Sequence, residues 1–158
     1  METTELESAY RRLFAAAEAL GDTGALPADT RASVDWTVGH IALSDRILAG
    51  AARDLLLGLP AVVDNREAMD ARNLGALIAS TTPAERRELL RRNGDDFVAA
   101  VRTIPGHAVG EPVELRLVDR EGRPAPGTKL PWRELVRLRA AEHLPGHAAR
   151  LEAARARG

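Results

Sequence analysis

Two histidines near the C-terminus have the spacing of a metal-binding pair. His143 and His147 stand four residues apart in the segment AAEHLPGHAARLEAA, which otherwise has the apolar periodicity of a helix. Side chains at positions i and i+4 of a helix lie one above the other, so two imidazoles placed there can share one ion. The pair alone is a weak signal, because histidines at such positions also act as core or capping residues. The zinc-protease motif H-E-x-x-H is absent, since no glutamate follows His143.

A proline lies between the two histidines. Pro145 has no N–H to donate and its ring crowds the carbonyl group of Ala141, so we expect a bend in the helix at this point. One interpretation is that the bend sets the geometry between two metal ligands. The other is that the helix stops at Leu144 and that His147 caps a neighbouring group.

A third imidazole would make a metal site far more specific. His40 is the best candidate, because it lies at the edge of the apolar stripe of a long predicted helix that can pack beside the last one. His107 follows the residues IPG in a predicted loop, where we expect it to be exposed to solvent.

Apolar residues at three- and four-residue spacing predict five helices that would position these histidines. Thr82 is expected to cap the fourth helix, with Pro83 in its first turn. The predicted helices cover TELESAYRRLFAAAEAL, about Thr37 to Gly58, about Arg66 to Ala79, the segment that follows Thr82, and the segment from about Pro131 onward.

A short β-hairpin is predicted before the last helix. Val113, Leu115 and Leu117 alternate with polar residues, which is the pattern of a half-buried strand. The second arm is expected to be weak, because Pro124 and Pro126 lack the N–H groups that a ladder needs. The expected fold class is therefore all-α, a helical bundle with one small hairpin.

Composition excludes several kinds of chemistry. The chain of 158 residues fits one domain, contains no cysteine and has a formal net charge of −1. No disulfide, cysteine-ligated metal or protein thiolate is therefore available. The balanced charge argues against a nucleic-acid partner, and the charged residues that interrupt every apolar stretch argue against a membrane span. The acidic start METTELESAY has no features of a secretory signal, so we expect a cytoplasmic location.

The pattern as a whole resembles the DinB/YfiT-like superfamily. The segments DWTVGHIALSDRIL, VDN and LPWRELVRLRAAEHLPGHAARL carry the resemblance, together with the predicted hairpin. The sequence is most similar in style to short actinobacterial members related to the N-terminal domain of mycothiol-dependent maleylpyruvate isomerase. This resemblance implies a four-helix bundle with a long second crossover, formed by a single DinB-like domain over residues 1–158.

The resemblance also implies a three-histidine site for a divalent metal, which falls on His40, His143 and His147. In many relatives the histidine of the second helix follows the tryptophan by about two turns, whereas His40 follows Trp36 by one turn. A register fixed by the tryptophan would place Ser44 at the ligand position. The segment HIALSD matches the family's segment after the ligand and favours His40.

Several polar residues are candidates for supporting roles around this site. Ligating imidazoles normally donate their second N–H to an acceptor, and Asp45, Asn65 and Glu142 are the candidate partners. The alternative is that Asp45 and Glu142 are surface charges and that Asn65 is a helix cap. Arg46 and Arg139 are candidates to hold a carboxylate of a thiol or a substrate.

The implied chemistry depends on an open coordination position. Three imidazoles leave such a position on a divalent ion and suit Zn, Ni or Fe(II). The resemblance therefore implies a thiol-dependent S-transferase or isomerase, in which a small thiol such as mycothiol is held as a thiolate and attacks an electrophilic substrate. The alternatives are a metal- or ligand-binding module without turnover and a metal-assisted hydrolase. A homodimer is also expected, because dimers are common in the superfamily.

Overall fold

The computed structural model describes residues 1–157 and consists mostly of helix. A π-helical segment, Arg139–His143, joins the last two helices. Among the described helices, none combines the length and the apolar character needed to cross a membrane. In chain order the helices are α1 (Thr4–Leu20), α2 (Ala28–Leu56), α3 (Arg66–Met69), α4 (Ala71–Ser80), α5 (Pro83–Thr103), α6 (Trp132–Leu138) and α7 (Leu144–Arg155).

A three-stranded sheet accompanies the helices. Strand β1 (Ala61–Asp64) pairs in parallel with β2 (Pro112–Arg116), and β2 pairs in antiparallel fashion with β3 (Thr128–Pro131). The predicted hairpin is confirmed as β2 and β3. The expectation that Pro124 and Pro126 weaken its second arm is wrong, because both prolines lie in the connection between the two strands. The sequence does not predict β1, because four residues are too few to show an alternation of apolar and polar side chains.

Helix α2 begins at Ala28 rather than at about Thr37. Thr37 does not cap the helix, since its hydroxyl group donates to the carbonyl oxygen of Ser33 at 2.8 Å within the helix. Pro27 precedes the first residue and has a φ of −52°, which is compatible with a helix start. The 29 residues of α2 extend over about 43 Å. His40 is therefore placed near the middle of the helix rather than in its first turn.

Two predicted helix starts have different outcomes. The cap of α5 is confirmed, because the Thr82 hydroxyl accepts from the N–H of Glu85 at 3.2 Å and the Glu85 carboxylate accepts from the N–H of Thr82 at 2.7 Å. The helix predicted from Arg66 to Ala79 is instead two helices that meet at Asp70. The Asp70 side chain caps α4 by accepting from the N–H of Asn73 at 2.8 Å.

Helix α2 lies at the centre of the packing, in contact with α5, β1 and α7. Helix α2 packs along α5, α1 packs along α7, and α2 also contacts β1 and α7. Each large apolar side chain that is fully buried contributes about 1.5–3 kcal/mol to folding. This packing fixes the middle of α2 beside the start of α7. Fully buried residues of the core include Leu13, Ile41, Leu90, Phe97, Trp132 and Leu144.

Candidate metal centre

The structure brings His40, His143 and His147 into one cluster. Each offers one ring nitrogen, and these three atoms lie within 4.8 Å of one another. The ring centroids are 5.9 Å apart for His40 and His143, 5.4 Å for His40 and His147, and 4.6 Å for His143 and His147. The cluster could therefore hold a single metal ion. His107 is exposed, as predicted, and is not part of the cluster.

The π-helical segment positions the last two histidines. The N–H of Leu144 donates to the carbonyl oxygen of Arg139, five residues earlier, which is the hydrogen bond of a π-turn. Pro145 follows in the first turn of α7, where a missing N–H costs least. The interpretation that the helix stops at Leu144 is wrong, because α7 continues to Arg155. The irregularity that the proline predicts is a π-turn, a feature that is frequent at functional sites.

His40 is oriented by contacts on two sides of its ring. Its Nδ1 atom lies 2.8 Å from the carbonyl oxygen of Ala68, so the N–H on that nitrogen donates to the carbonyl and leaves Nε2 for a ligand. The ring of Trp36 stacks on the imidazole with centroids 4.6 Å apart and an angle of 12° between the planes. Ser44, which the tryptophan register favoured, lies one turn further along α2 in the wall of an adjoining cavity.

The pKa of all three imidazoles is lowered, although only His40 and His147 are buried and the His143 side chain is exposed. The pKa falls to about 4 for His40, to about 3 for His147 and to about 2 for His143. Loss of hydration is the main cause, and the positive charges of Arg139 and Arg150 lower the values further. The three rings are therefore neutral near pH 7, which is the form of imidazole that binds a metal ion.

One imidazole nitrogen of the cluster is a buried polar atom without a hydrogen bond. The Nδ1 atom of His147 is buried and has no hydrogen-bond partner within the described chain. Buried polar atoms are almost always paired, so such an orphan calls for an explanation. A divalent ion shared by the three neutral rings would fit both this nitrogen and the nitrogen-only donor set.

The acceptor for His40 is a group that sequence reasoning missed. The expected partners were side chains, whereas Ala68 acts through its backbone carbonyl, 28 residues away in the chain. Asn65 instead forms two hydrogen bonds with the backbone of Val118, at 2.7 and 3.0 Å, and joins the end of β1 to the residues after β2. Glu142 is exposed and lines the cavity.

Asp45 is not a surface residue and its hydrogen bonds go elsewhere. It is fully buried, accepts from the Tyr10 hydroxyl at 2.6 Å and pairs with the guanidinium of Arg139. Burial raises the pKa of Asp45, whereas Arg139 and Tyr10 lower it. For Arg139 burial acts to lower the pKa, but Asp45 and Tyr10 raise it above the ordinary value, so the two groups form an ion pair.

The two arginines proposed to hold a carboxylate are both engaged within the chain. Arg139 is bound to Asp45, as described, and Arg46 forms a salt bridge with Glu67 on the surface. Neither guanidinium is available as an unpaired anion-binding group.

A cavity of about 470 Å³ opens beside the histidine cluster, and His40 and His143 form part of its wall. This volume is within the roughly 300–1,000 Å³ typical of small-molecule sites. Besides the two histidines, the polar residues of the wall are Ser44, Asn65, Arg139 and Glu142. Aliphatic side chains form most of the remainder, among them Ile47 and Leu48 of α2, Leu115, Leu117 and Leu130 of the sheet region, and Leu138 of α6.

Comparison with known proteins agrees with this arrangement. A family model described as the DinB superfamily matches residues 5–150, a range that includes all three histidines and the sheet. No curated protein and no solved structure matches the chain significantly. The chain belongs to the DinB superfamily.

Proposed function

We propose that the protein is a metal-dependent enzyme that promotes the reaction of a small thiol with an electrophilic substrate, as an S-transferase or an isomerase. The observation that carries the proposal is a cluster of three neutral histidines, two of which, His40 and His143, line an apolar cavity. A structural metal site would be closed on all sides, whereas three protein ligands beside a cavity leave room for a further ligand. Membership of a superfamily that includes metal-binding enzymes supports the same proposal.

The residues of the chain would prepare the site in two ways. Ala68 and Trp36 hold the His40 ring so that one nitrogen faces the cluster. Burial keeps His40 and His147 neutral, so no proton must leave them before a metal binds. A divalent ion in such a site supplies Lewis acidity, which lowers the pKa of a bound thiol or water.

The thiol must come from outside the chain, because the sequence contains no cysteine. Mycothiol is the first candidate, on the basis of the sequence resemblance, and a low-molecular-weight thiol together with an electrophile are the proposed partners. We further propose that α1, α2, α5 and the last helix form the four-helix bundle of the family. The packing of α1 on α7 and of α2 on α5 supports this assignment.

The decisive experiment measures thiol conjugation. The protein loaded with Zn, Ni or Fe(II) should accelerate the reaction of monochlorobimane with at least one of mycothiol, bacillithiol, glutathione and coenzyme A. The metal-free protein and the loaded His107→Ala variant are the matched controls, the first expected to be inactive and the second active. A rate equal to the uncatalysed rate with every thiol would contradict the transferase proposal. Metal uptake without acceleration would indicate a binding module or a hydrolase instead.

A further inference from the structure

The cavity beside the histidine cluster has a composition that selects its ligand. We propose that it binds an uncharged, apolar molecule and excludes dicarboxylates. That this molecule is the electrophile rests on the proposed function. The selectivity of the cavity itself depends on the wall alone and can be tested without metal or thiol.

The wall offers aliphatic contact from three directions. Ile47 and Leu48 of α2, Leu117 and Leu130 of the sheet region, and Leu138 of α6 all face the cavity. Contact with such a surface removes apolar ligand surface from water, which favours binding of an apolar ligand. It offers few hydrogen bonds to a strongly hydrated group.

The charges around the cavity act against an anion. Arg139 is the cation among the described residues that line it, and its charge is balanced by the buried carboxylate of Asp45. Glu142 is the acidic side chain among the described residues of the wall, and it is exposed to solvent, so it would repel an entering carboxylate. A site built for a dicarboxylate needs unpaired cationic donors, commonly arginines that bind in bidentate fashion. A carboxylate that entered this cavity in the metal-free protein would lose its hydration without gaining an unpaired cation as a partner.

The direct test compares two ligands that differ only in charge. The uncharged fluorescent probe N-phenyl-1-naphthylamine is bound to the metal-free full-length protein and is then displaced with octanamide or with octanoate. We expect octanamide to displace the probe at a concentration lower by about tenfold or more, because burial of the unpaired carboxylate is unfavourable. Equal displacement by the two ligands, or tighter binding of octanoate, would overturn the proposal.

Substitutions in the cavity wall test whether the probe binds in this cavity. Leu117→Asp adds a carboxylate to the wall and should weaken probe and octanamide binding about tenfold or more. Leu57→Asp makes the same change on a side chain that is 74% exposed and outside the wall, and should leave binding unchanged. Glu142→Arg, at an exposed position that tolerates substitution, should strengthen octanoate binding and leave octanamide binding nearly constant. Unchanged octanoate binding in Glu142→Arg, together with unchanged probe binding in a folded Leu117→Asp, would place the ligand elsewhere and contradict the proposal.

The two proposals fail in distinguishable ways. A protein that discriminates octanamide from octanoate but takes up no metal would retain the cavity inference and lose the proposed function. Metal uptake and thiol conjugation without discrimination between octanamide and octanoate would retain the proposed function and overturn the cavity inference.

Discussion

The ring of His40 is held by groups from three different parts of the chain. The Ala68 carbonyl accepts a hydrogen bond from Nδ1, the Trp36 ring stacks on the imidazole, and the Arg120 guanidinium lies 3.7 Å from the centroid of the Trp36 ring. A cation over an indole face is attracted by the ring's quadrupole, which helps to fix the stack. His40 is thus oriented before any metal binds, a condition that strengthens metal sites in general.

Single alanine substitutions test the ligand assignment. His40→Ala, His143→Ala and His147→Ala should each abolish stoichiometric binding, because two imidazoles seldom retain a divalent ion against a chelator. Ser44→Ala and His107→Ala are the matched controls and should keep full occupancy. The measurement is metal content per chain after dialysis against a chelator, with helix content checked by circular dichroism.

The opposite pattern would favour the register set by Trp36. If His40→Ala kept full occupancy while Ser44→Ala lost it, the ligand position would lie one turn further along α2. His40 would then be a structural residue held by Ala68.

The last helix shows how one irregular element can set a site. The π-turn at Arg139–His143 inserts one residue into the helical repeat, so it rotates α7 relative to α6. His143 ends the segment and His147 lies one turn beyond it, with Pro145 between them. The direction of both imidazoles therefore depends on where the π-turn is located.

Pro145→Ala should stabilise the protein and weaken metal binding. Alanine restores an N–H that can bond to the carbonyl of Ala141, and because Pro145 lies in the first turn of α7 the gain in stability should be smaller than the ~3 kcal/mol of an interior proline. The same bond would favour regular α-helix across the π-turn and shift the directions of the His143 and His147 imidazoles.

Gly146→Ala is the matched control, since a Cβ there meets no atom within 4 Å and adds about 1 kcal/mol of helix propensity without a new hydrogen bond. Thermal melting and metal titration measure both effects, and unchanged metal affinity in Pro145→Ala would show that the proline is incidental to the site.

The sequence predicts the helices and the three histidines because their signals are local. Apolar spacing marks a helix, and the i, i+4 pair and His40 are visible as residue types. The role of the Ala68 carbonyl cannot be predicted from residue types, because a backbone acceptor is present at every position of the chain. Asp45 and Arg139 are 94 residues apart, so their pairing depends on the packing of α2 against the last helix rather than on any local pattern.

At the scale of the whole molecule, the buried histidines oppose folding when they acquire protons. The ordinary pKa of histidine is 6.5, and burial lowers it to about 4 for His40 and to about 3 for His147 in the metal-free protein. Between pH 6.5 and these lowered pKa values, the histidines of the unfolded chain bind protons and the histidines of the folded chain do not. The free energy of unfolding must therefore fall as the pH decreases from about 6.5.

The metal-free protein should lose stability between about pH 6.5 and about pH 5, a range above the titration of ordinary carboxylates. Urea unfolding of the metal-free protein across this range measures the effect. A variant with His40, His143 and His147 all changed to Asn should show a much flatter dependence, because no buried imidazole is left to exclude a proton. His107→Asn removes an exposed imidazole and should retain the dependence of the unmodified protein. A profile equally flat in the unmodified protein and in the triple variant would contradict the conclusion that burial keeps the cluster neutral, and with it the argument that the site is ready for a metal near pH 7.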